Sequence, residues 1–277
     1  MEMNKVSIIV PVYNVAQYVT QCMDSLYRQS FSDIEVIFVD DRGSDNSVQI
    51  VKDYISSRDL QQSWHVVYMP ENGKPGKARN YGLTFATGEY VMFIDADDWI
   101  EKEMVELLYC AAQSNNADIS SAAAICDYAD GTHIEMHNPY VGSGLVTDNQ
   151  RRYLLRHYVS NFTTMLFKRA WLLENGILFP PAYSGEDSSF MGQCYLVCRR
   201  IAQSEQVMYH YRIHSSSISH SSNSYRGKQK RVAFHALIDF AREKKLLSKY
   251  RWTIYWVYLK KAILTPLKEY FSAIASC

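Results

Sequence analysis

No stretch of about 18 apolar residues occurs in this 277-residue sequence, so no part of it is expected to cross a bilayer as a helix. The apolar run in the N-terminal MEMNKVSIIVPVYN is too short for a secretory signal, and Pro11 interrupts it. Cys22, Cys110, Cys126, Cys194, Cys198 and Cys277 form no CxxC pair and have no histidine at zinc spacing, which excludes a zinc-binding motif. A reducing, cytoplasmic setting is the expectation. Cys194 and Cys198 lie four apart on one helical face with Phe190, where core packing accounts for them. Net charge is missing as well: 29 Lys+Arg balance 29 Asp+Glu, and a neutral chain predicts no nucleic-acid partner. There is no internal repeat, and the Ser-rich link HSSSISHSSNS is the one biased tract.

The charge that is present is unevenly placed. Residues 223–277 hold twelve Lys+Arg against three Asp+Glu, which leaves 17 against 26 for residues 1–222, an acidic body with a basic tail. The length suits one large domain with an appendage. Apolar runs of strand length occur at 6–10, 34–39, 65–69, 90–94 and 118–124, with helical stretches at about 15–29, 44–57, 76–86 and 101–114 between them. This alternation predicts an α/β fold with parallel βαβ units, and such sheets bind ligands at the carboxyl ends of their strands. Beyond residue 125 the pattern predicts short strands near 132–137 and 162–168, helices at 148–157 and 186–198, and strands near 200–213. Two long helices, about 224–247 and 249–271, close the chain.

The stretch EYVMFIDADDWI ends a strand in Asp95, Ala96, Asp97 and Asp98. Three carboxylates in four positions repel each other and resist burial, so they require either a solvated turn with a helix cap or a hard cation. Three other strand ends carry polar groups. IIVPVYN supplies Pro11, Tyr13 and Asn14, VDDRGSDNS supplies Asp40 and Asp41, and ENGKPGKARNYG supplies Asn72, Lys77 and Arg79. Singly, these read as a core-edge aromatic, a turn and a solvated helix face. Together they place polar groups at successive strand ends of one sheet, which makes a ligand site the better account.

In these motifs the sequence resembles the family 2 glycosyltransferases with a GT-A fold, which are inverting, metal-dependent enzymes acting on nucleotide sugars. The likeness runs over residues 5 to 220, through VSIIVPVYN, VDDRGSDNS, NGKPGKARNYG, FIDADDW, GEDSSF and YHYRIHSSSIS in the family's order. One departure is Arg42-Gly43, where the family commonly shows Asp-Asp-Gly-Ser-x-Asp. The resemblance implies a Rossmann-like, mixed but mostly parallel sheet flanked by helices, with a C-terminal helical appendage. It divides the chain into a catalytic domain at 1–222 (nucleotide-binding half 1–124, acceptor half 125–222) and a basic extension at 223–277.

The resemblance also implies roles. Asp97 and Asp98 would hold Mn²⁺ or Mg²⁺ against the donor's diphosphate, with Asp95 and Ala96 beside the ribose or the cation. Asp41 would accept a hydrogen bond from the base, with Tyr13 packing over it. Lys77 and Arg79 suit the ribose and diphosphate, and Arg212 and His214 would fold back over the phosphates. Asp187 is the candidate base and Glu186 its orienting neighbour, although an aspartate before SSFMG would also serve as a helix N-cap. The processive members' Gln-x-x-Arg-Trp motif is absent, so one sugar is added per encounter.

The expected activity is transfer of a hexose or N-acetylhexosamine, from UDP by default, to a saccharide or lipid-linked acceptor in surface-polysaccharide synthesis. The competing readings are a catalytically silent nucleotide-sugar-binding assembly partner and a sugar nucleotidyltransferase. The latter needs a Gly-rich loop after the first strand, where PVYNVAQY has no glycine. In the tail, aromatic and aliphatic residues from Trp252 onward recur at helical spacing among lysines and arginines. Residues 249–271 therefore form either a helix packed on the body or a peripheral contact with the inner face of an anionic membrane. A homo-oligomer is compatible with the same apolar face.

Overall fold

The computed structural model describes residues 5–157, 161–182, 184–214 and 224–259. The Ser-rich link after His214 and the tail beyond residue 259, with Cys277, lie outside the described residues. Strands β1 (Val6–Val12), β2 (Ile34–Asp40), β3 (Trp64–Tyr68) and β4 (Tyr90–Phe93) alternate with helices α1 (Val19–Tyr27), α2 (Ser47–Ser57) and α3 (Lys74–Leu83). These strands pair in parallel in the order β3-β2-β1-β4. Every residue of β2 is buried, as a parallel strand covered on both faces requires. Because β1 has β2 on one side and β4 on the other, the winding reverses beside it, and the crevice at the carboxyl ends of β1 and β4 is the topological switch point.

The second half continues with β5 (Trp99–Ile100), α4 (Met104–Asn115), β6 (Ile119–Tyr128), β7 (His133–Met136) and β8 (Gly144–Leu145). It goes on through α5 (Asp148–His157), β9 (Met165–Lys168), α6 (Arg169–Asn175), α7 (Glu186–Val197) and β10 (Arg200–Ile213). Helices α8 (Ser224–Glu243) and α9 (Leu247–Leu259) follow. The sheet order is β3-β2-β1-β4-β9-β6-β10-β5, with β7 and β8 attached to β6 and β10. Strand β9 runs antiparallel to both β4 and β6, while β6 and β10 are parallel. The α/β fold with a mixed sheet flanked by helices is therefore as the sequence predicts.

Alternate residues of β1 feed the two sides of the sheet, as the pleat dictates. Ile8 and Val10 join Val36, Phe38 and Met92 in one core, and Ile9 joins Ile37, Val39 and Phe93 in the other. The second core also takes in α7, α8 and α9 through Phe190, Leu237 and Ile254, so the C-terminal helices share the interior of the sheet's main body. Cys194 and Cys198 are buried there, as expected, and burial pushes both thiols up in pKa.

Some elements differ from expectation. The two strands expected near 200–213 are one strand, β10, with register shifts between Gln203 and Val207 and between Val207 and Tyr209. Bulges of this kind interrupt the period-two pattern and disguise a long strand as two. Helix α6 was not foreseen, since two turns are too short to show a period; Gly176 (φ +64°) ends it in the left-handed conformation.

Helix α3 lies directly on β1 and β2 because Gly82 has no side chain: a Cβ there would come 2.5 Å from Ile9 Cγ2 and 2.9 Å from Val39 Cγ2. These are branched side chains of a packed sheet with little room to yield. Gly82→Ala should therefore destabilise the protein by about 1–3 kcal/mol in urea denaturation, the range for overpacking a core. An unchanged midpoint would show that α3 can lift off the sheet.

Candidate active site

The strand ends are knitted together by backbone and side-chain bonds. At the end of β1, Asn14 adopts φ +52° and its Oδ1 accepts the N–H groups of Ser44 (2.7 Å) and Asp45 (3.3 Å) in the loop after β2. Pro11 pairs with Val39 across the β1–β2 ladder, and Tyr13 stands 47% exposed above it. After β2, Arg42 (φ +61°) donates its N–H to Asp40 Oδ1 (2.8 Å) and its Nε to the Met69 carbonyl (2.5 Å). The family departure at Arg42 thus ties the β2 end to the β3 end. Asp41 accepts the Gly73 N–H at 2.5 Å, and Asn72 Nδ2 donates to the Asp41 carbonyl at 2.8 Å. Burial raises the Asp41 pKa, opposed by the N–H groups of Gly73 and Lys74.

At the end of β4, Asp95 Oδ1 accepts Arg79 Nη2 at 2.6 Å. The guanidinium lies against the rings of Phe162 (4.6 Å) and Phe179 (5.2 Å), and its Nη1 is 3.9 Å from Glu186 Oε1. One buried arginine therefore bridges the acidic strand end to Glu186 and Asp187 in the first turn of α7. The neighbouring Asn80 clamps the segment before α7 by reciprocal bonds with the backbone of Phe179, at 2.8 and 3.0 Å. Gly76 lets α3 approach, since a Cβ there would lie 3.2 Å from Glu186 Cγ.

The N-cap of α7 is Gly185 (φ +84°), and Asp187 lies in the first turn with its Oδ1 accepting the Ser188 N–H at 2.6 Å. The N-cap role weighed for Asp187 is thus taken by a glycine. Burial, then the charge of Asp187, pushes the Glu186 carboxyl up to about 7, and Arg79 opposes this.

The last segment of β10 folds onto the same acidic end. His214 Nε2 meets Asp97 Oδ2 at 3.0 Å, and the His214 ring packs on Tyr18 at 4.7 Å. Arg212 donates Nε to the Asp97 carbonyl (2.9 Å) and its backbone N–H to Asp98 Oδ1 (2.9 Å). Tyr209 donates its hydroxyl to Asp98 Oδ2 at 2.5 Å. Burial and the charge of Asp95 raise the Asp97 pKa, whereas His214 lowers it. Asp98 is raised well above the usual range, by burial first and then by Asp97 and Asp95.

The structure thus brings Asp95, Asp97, Arg212, His214, Arg79 and Glu186 into one cluster, with Tyr13, Asn14, Asp40, Asp41 and Asn72 along the neighbouring strand ends. Asp41, Arg79 and Asp98, expected from the resemblance to contact the base, the diphosphate and the cation, are the most enclosed of the charged candidate site residues. They are 2%, 5% and 1% exposed and turned to protein partners, because their strand and helix positions face inward. Lys77 stands exposed on α3 and Ala96 is buried within the turn. Tyr209, Phe162 and Phe179, which are buried, and the half-buried Tyr18 were missed, since a packed aromatic reads in sequence as ordinary core. Among the described residues no three His, Cys, Asp or Glu side chains form a ready-made metal cage. The donor set nevertheless fits a hard cation: carboxylates crowd together with their charge under-compensated, and Asp97 remains part-exposed.

The sequence profile described as Glycosyl transferase family 2 matches residues 7–174, more than half of the chain. The chain belongs to glycosyl transferase family 2. Its family 2 relatives include EpsH of Bacillus subtilis, a putative glycosyltransferase, 28% identical over 260 residues. They also include TarS of Staphylococcus aureus, a poly(ribitol-phosphate) beta-N-acetylglucosaminyltransferase, 30% identical over 226 residues. The match covers 91% of this chain and 73% of EpsH, but 80% of this chain and 38% of TarS. The crystal structure of TarS residues 1–349 with UDP-GlcNAc superposes with a TM-score of 0.73 at 26% identity, covering 93% of this chain and 73% of that one. The family and GT-A fold expected from the motifs are borne out.

The raised Glu186 pKa has a readable consequence. Folding disfavours ionisation of this carboxyl, so stability should fall as pH rises from about 4.5 to about 7 and then level off. Between pH 5 and 7.5, wild type should lose about 1–3 kcal/mol more than Glu186→Gln in urea denaturation. Parallel pH profiles for the two proteins would remove Glu186 from this account.

Proposed function

We propose that this family 2 glycosyltransferase inverts the anomeric centre of a UDP-linked hexose or N-acetylhexosamine in transferring it to a hydroxyl of a surface-polysaccharide or glycolipid acceptor. The observation that carries the reading is the buried Arg79, which joins Asp95 at the end of β4 to Glu186 beside Asp187. Donor and acceptor machinery are thereby held in one rigid unit. The names of the relatives support the class: TarS was solved with UDP-GlcNAc, and a relative from Bacillus spizizenii is a poly(ribitol-phosphate) beta-glucosyltransferase.

In this reading Tyr13 stacks on the base, with Pro11, Asn14, Asp40, Asp41 and Asn72 shaping its seat. Asp95 faces the ribose. Asp97 and His214 would hold Mn²⁺ or Mg²⁺, and Asp98 anchors β10 through Tyr209 and the Arg212 backbone rather than binding the ion. When bound, the cation neutralises charge that develops on the leaving diphosphate. Arg212, fixed by Asp97 and stacked on Trp99 at 4.6 Å, presents its guanidinium to the phosphates. Asp187 takes the acceptor hydroxyl proton as that oxygen bonds to the anomeric carbon, and the diphosphate leaves with the electron pair of the broken bond. Lys77 stands at the edge of this site.

No helix among the described residues is long and apolar enough to cross a membrane. Helix α9 buries Tyr250, Ile254 and Val257 against the body, and Tyr250 and Lys249 both bond Asp148 on α5, at 2.8 and 2.5 Å. Trp252, Tyr255, Trp256 and Leu259 stay exposed at i, i+3, i+4 and i+7, which supports peripheral contact through an interfacial stripe.

Calorimetry with UDP should show binding that Mn²⁺ strengthens and that Asp97→Ala weakens about tenfold or more. Full-strength binding without metal would overturn the cation assignment. Asp187→Asn should keep UDP affinity while turnover drops about 10²-fold or more, the scale for a lost general base. A turnover loss matched only by a lower Tm would return Asp187 to a structural role.

A further inference from the structure

Helix α1 turns one face toward the acidic end of β4. Tyr18 stands half-buried at its N-cap position, and the residues three and four further on share its face. Of these, Gln21 Oε1 accepts Arg212 Nη2, and Cys22 Sγ meets the Asp95 carbonyl at 3.9 Å. The turn before the helix is pinned by its own bonds. The Tyr18 N–H donates to the Val15 carbonyl, the Val15 N–H to Ser47 Oγ and the Ala16 N–H to Asp45 Oδ2, each at 2.9 Å. The backbone that carries Tyr18 is therefore anchored on the β2–α2 connection, by bonds that involve no residue of β10.

One ring meets both Arg212 and His214. The His214 ring packs on Tyr18 with centroids 4.7 Å apart and planes at 32°, and the Arg212 guanidinium lies 5.0 Å from the same centroid. The two residues are two apart, so extended chain sends both side chains to one side. Arg212 also lies over Trp99 at 4.6 Å, and Trp99 stacks on His210 at 4.7 Å and 12°. The contacts run in series through His210, Trp99, Arg212, Tyr18 and His214, and Tyr18 is the member that comes from outside β5 and the β10 segment. Stacking suits the work these side chains have in glycosyl transfer. His214 Nε2 meets Asp97 Oδ2, and a cation held by both would take that nitrogen and that oxygen, so this contact cannot also orient the imidazole. A ring against its face leaves the nitrogens to the ion. For Arg212, contact with the guanidinium plane leaves in-plane N–H groups for phosphate oxygens.

We propose that Tyr18 is a positioning residue for the diphosphate–cation end of the site, its ring holding His214 toward the cation and Arg212 toward the phosphates. The inference rests on the glycosyl-transfer reading, with Asp97 and His214 as the cation's ligands, and adds to it the side chain that orients both partners of the diphosphate. It also gives the β2–α2 connection a part in the site, because that connection anchors the turn from which Tyr18 projects.

The test is calorimetry of the full chain with UDP, with and without saturating Mn²⁺, read as the factor by which Mn²⁺ strengthens binding. Tyr18→Leu and Tyr18→Met keep bulk at a half-buried position and remove the ring. Both should weaken UDP with Mn²⁺ about tenfold and metal-free UDP by less, so that the gain from Mn²⁺ shrinks. Tyr18→Phe, which keeps the ring, should retain the gain. Tyr13→Leu, at the base end of the site, should weaken UDP by the same factor with and without Mn²⁺. A gain left unchanged by both ring-free variants overturns the proposal. So does an equal loss of gain in Tyr18→Phe, which would assign the effect to the hydroxyl, or in Tyr13→Leu, which would make it a general loosening. Wild-type binding of UDP that Mn²⁺ does not strengthen removes the cation assignment, and failure of UDP to bind at all removes the glycosyl-transfer reading; in either case the inference goes with it.

Discussion

The guanidinium of Arg79 lies against two phenyl rings, with the carboxylates of Asp95 and Glu186 near its two Nη atoms, and the surrounding structure is arranged to keep it there. Removing such a group from water costs several kcal/mol, which only close pairing and favourable ring contacts can offset. Asp95 supplies the close pair and Glu186 a more distant one, while Phe162 and Phe179 supply the rings. The arginine reaches this position because Gly82 seats α3 flat on the sheet and Gly76 admits Glu186 beside the helix. Two turns of one helix thus fix the relative placement of the acidic strand end and the start of α7. Electrostatics then follows: carboxylates from two segments, Asp95 and the Glu186–Asp187 pair, crowd one buried cation, and burial with the neighbouring Asp187 raises the pKa of Glu186.

Much of this was legible in the sequence. Four polar motifs at the ends of apolar runs located the switch-point crevice, and the GED and YHYRIH motifs located its other two walls. The directions of individual side chains were not legible. Asp97 and Asp98 are the same residue type in adjacent positions, yet the turn sends one toward His214 and buries the other beneath Tyr209. Arg79 reads as a solvated helix position, because nothing local reveals that Phe162 and Phe179, remote in sequence, close over it. Tyr209 stood inside a motif already singled out, but a tyrosine that packs and one that clamps a carboxylate look alike in sequence.

The basic tail shows the same limit. Its apolar spacing predicted a helix with something to cover it, and the structure divides that apolar surface between two faces. Tyr250, Ile254 and Val257 complete the interior beside α5 and α7, while the tryptophans stay outside. Composition revealed the surplus of apolar surface, and only packing revealed which part the body consumes. Helix α8 likewise binds through α7, where Leu237 sits over Gly192, so the acidic body and its basic extension meet along an apolar seam, with the Lys249–Asp148 ion pair beside it.

Strand β9 carries a consequence for how the chain is made. It is inserted between β4 and β6, although it begins 46 residues after β6 begins, at Met165 against Ile119. Until Met165–Lys168 leaves the ribosome, β4 presents an open hydrogen-bonding edge and β6 has no partner on that side. The run of parallel strands β1–β4, although contiguous at the front of the chain, is therefore not a self-sufficient folding unit. Its last internal bonds come from a later segment, and the long sequence separation of that pairing slows closure of the sheet. During synthesis the half-built sheet is the stage most exposed to mispairing, and a nascent-chain chaperone acting there would protect the β4 edge.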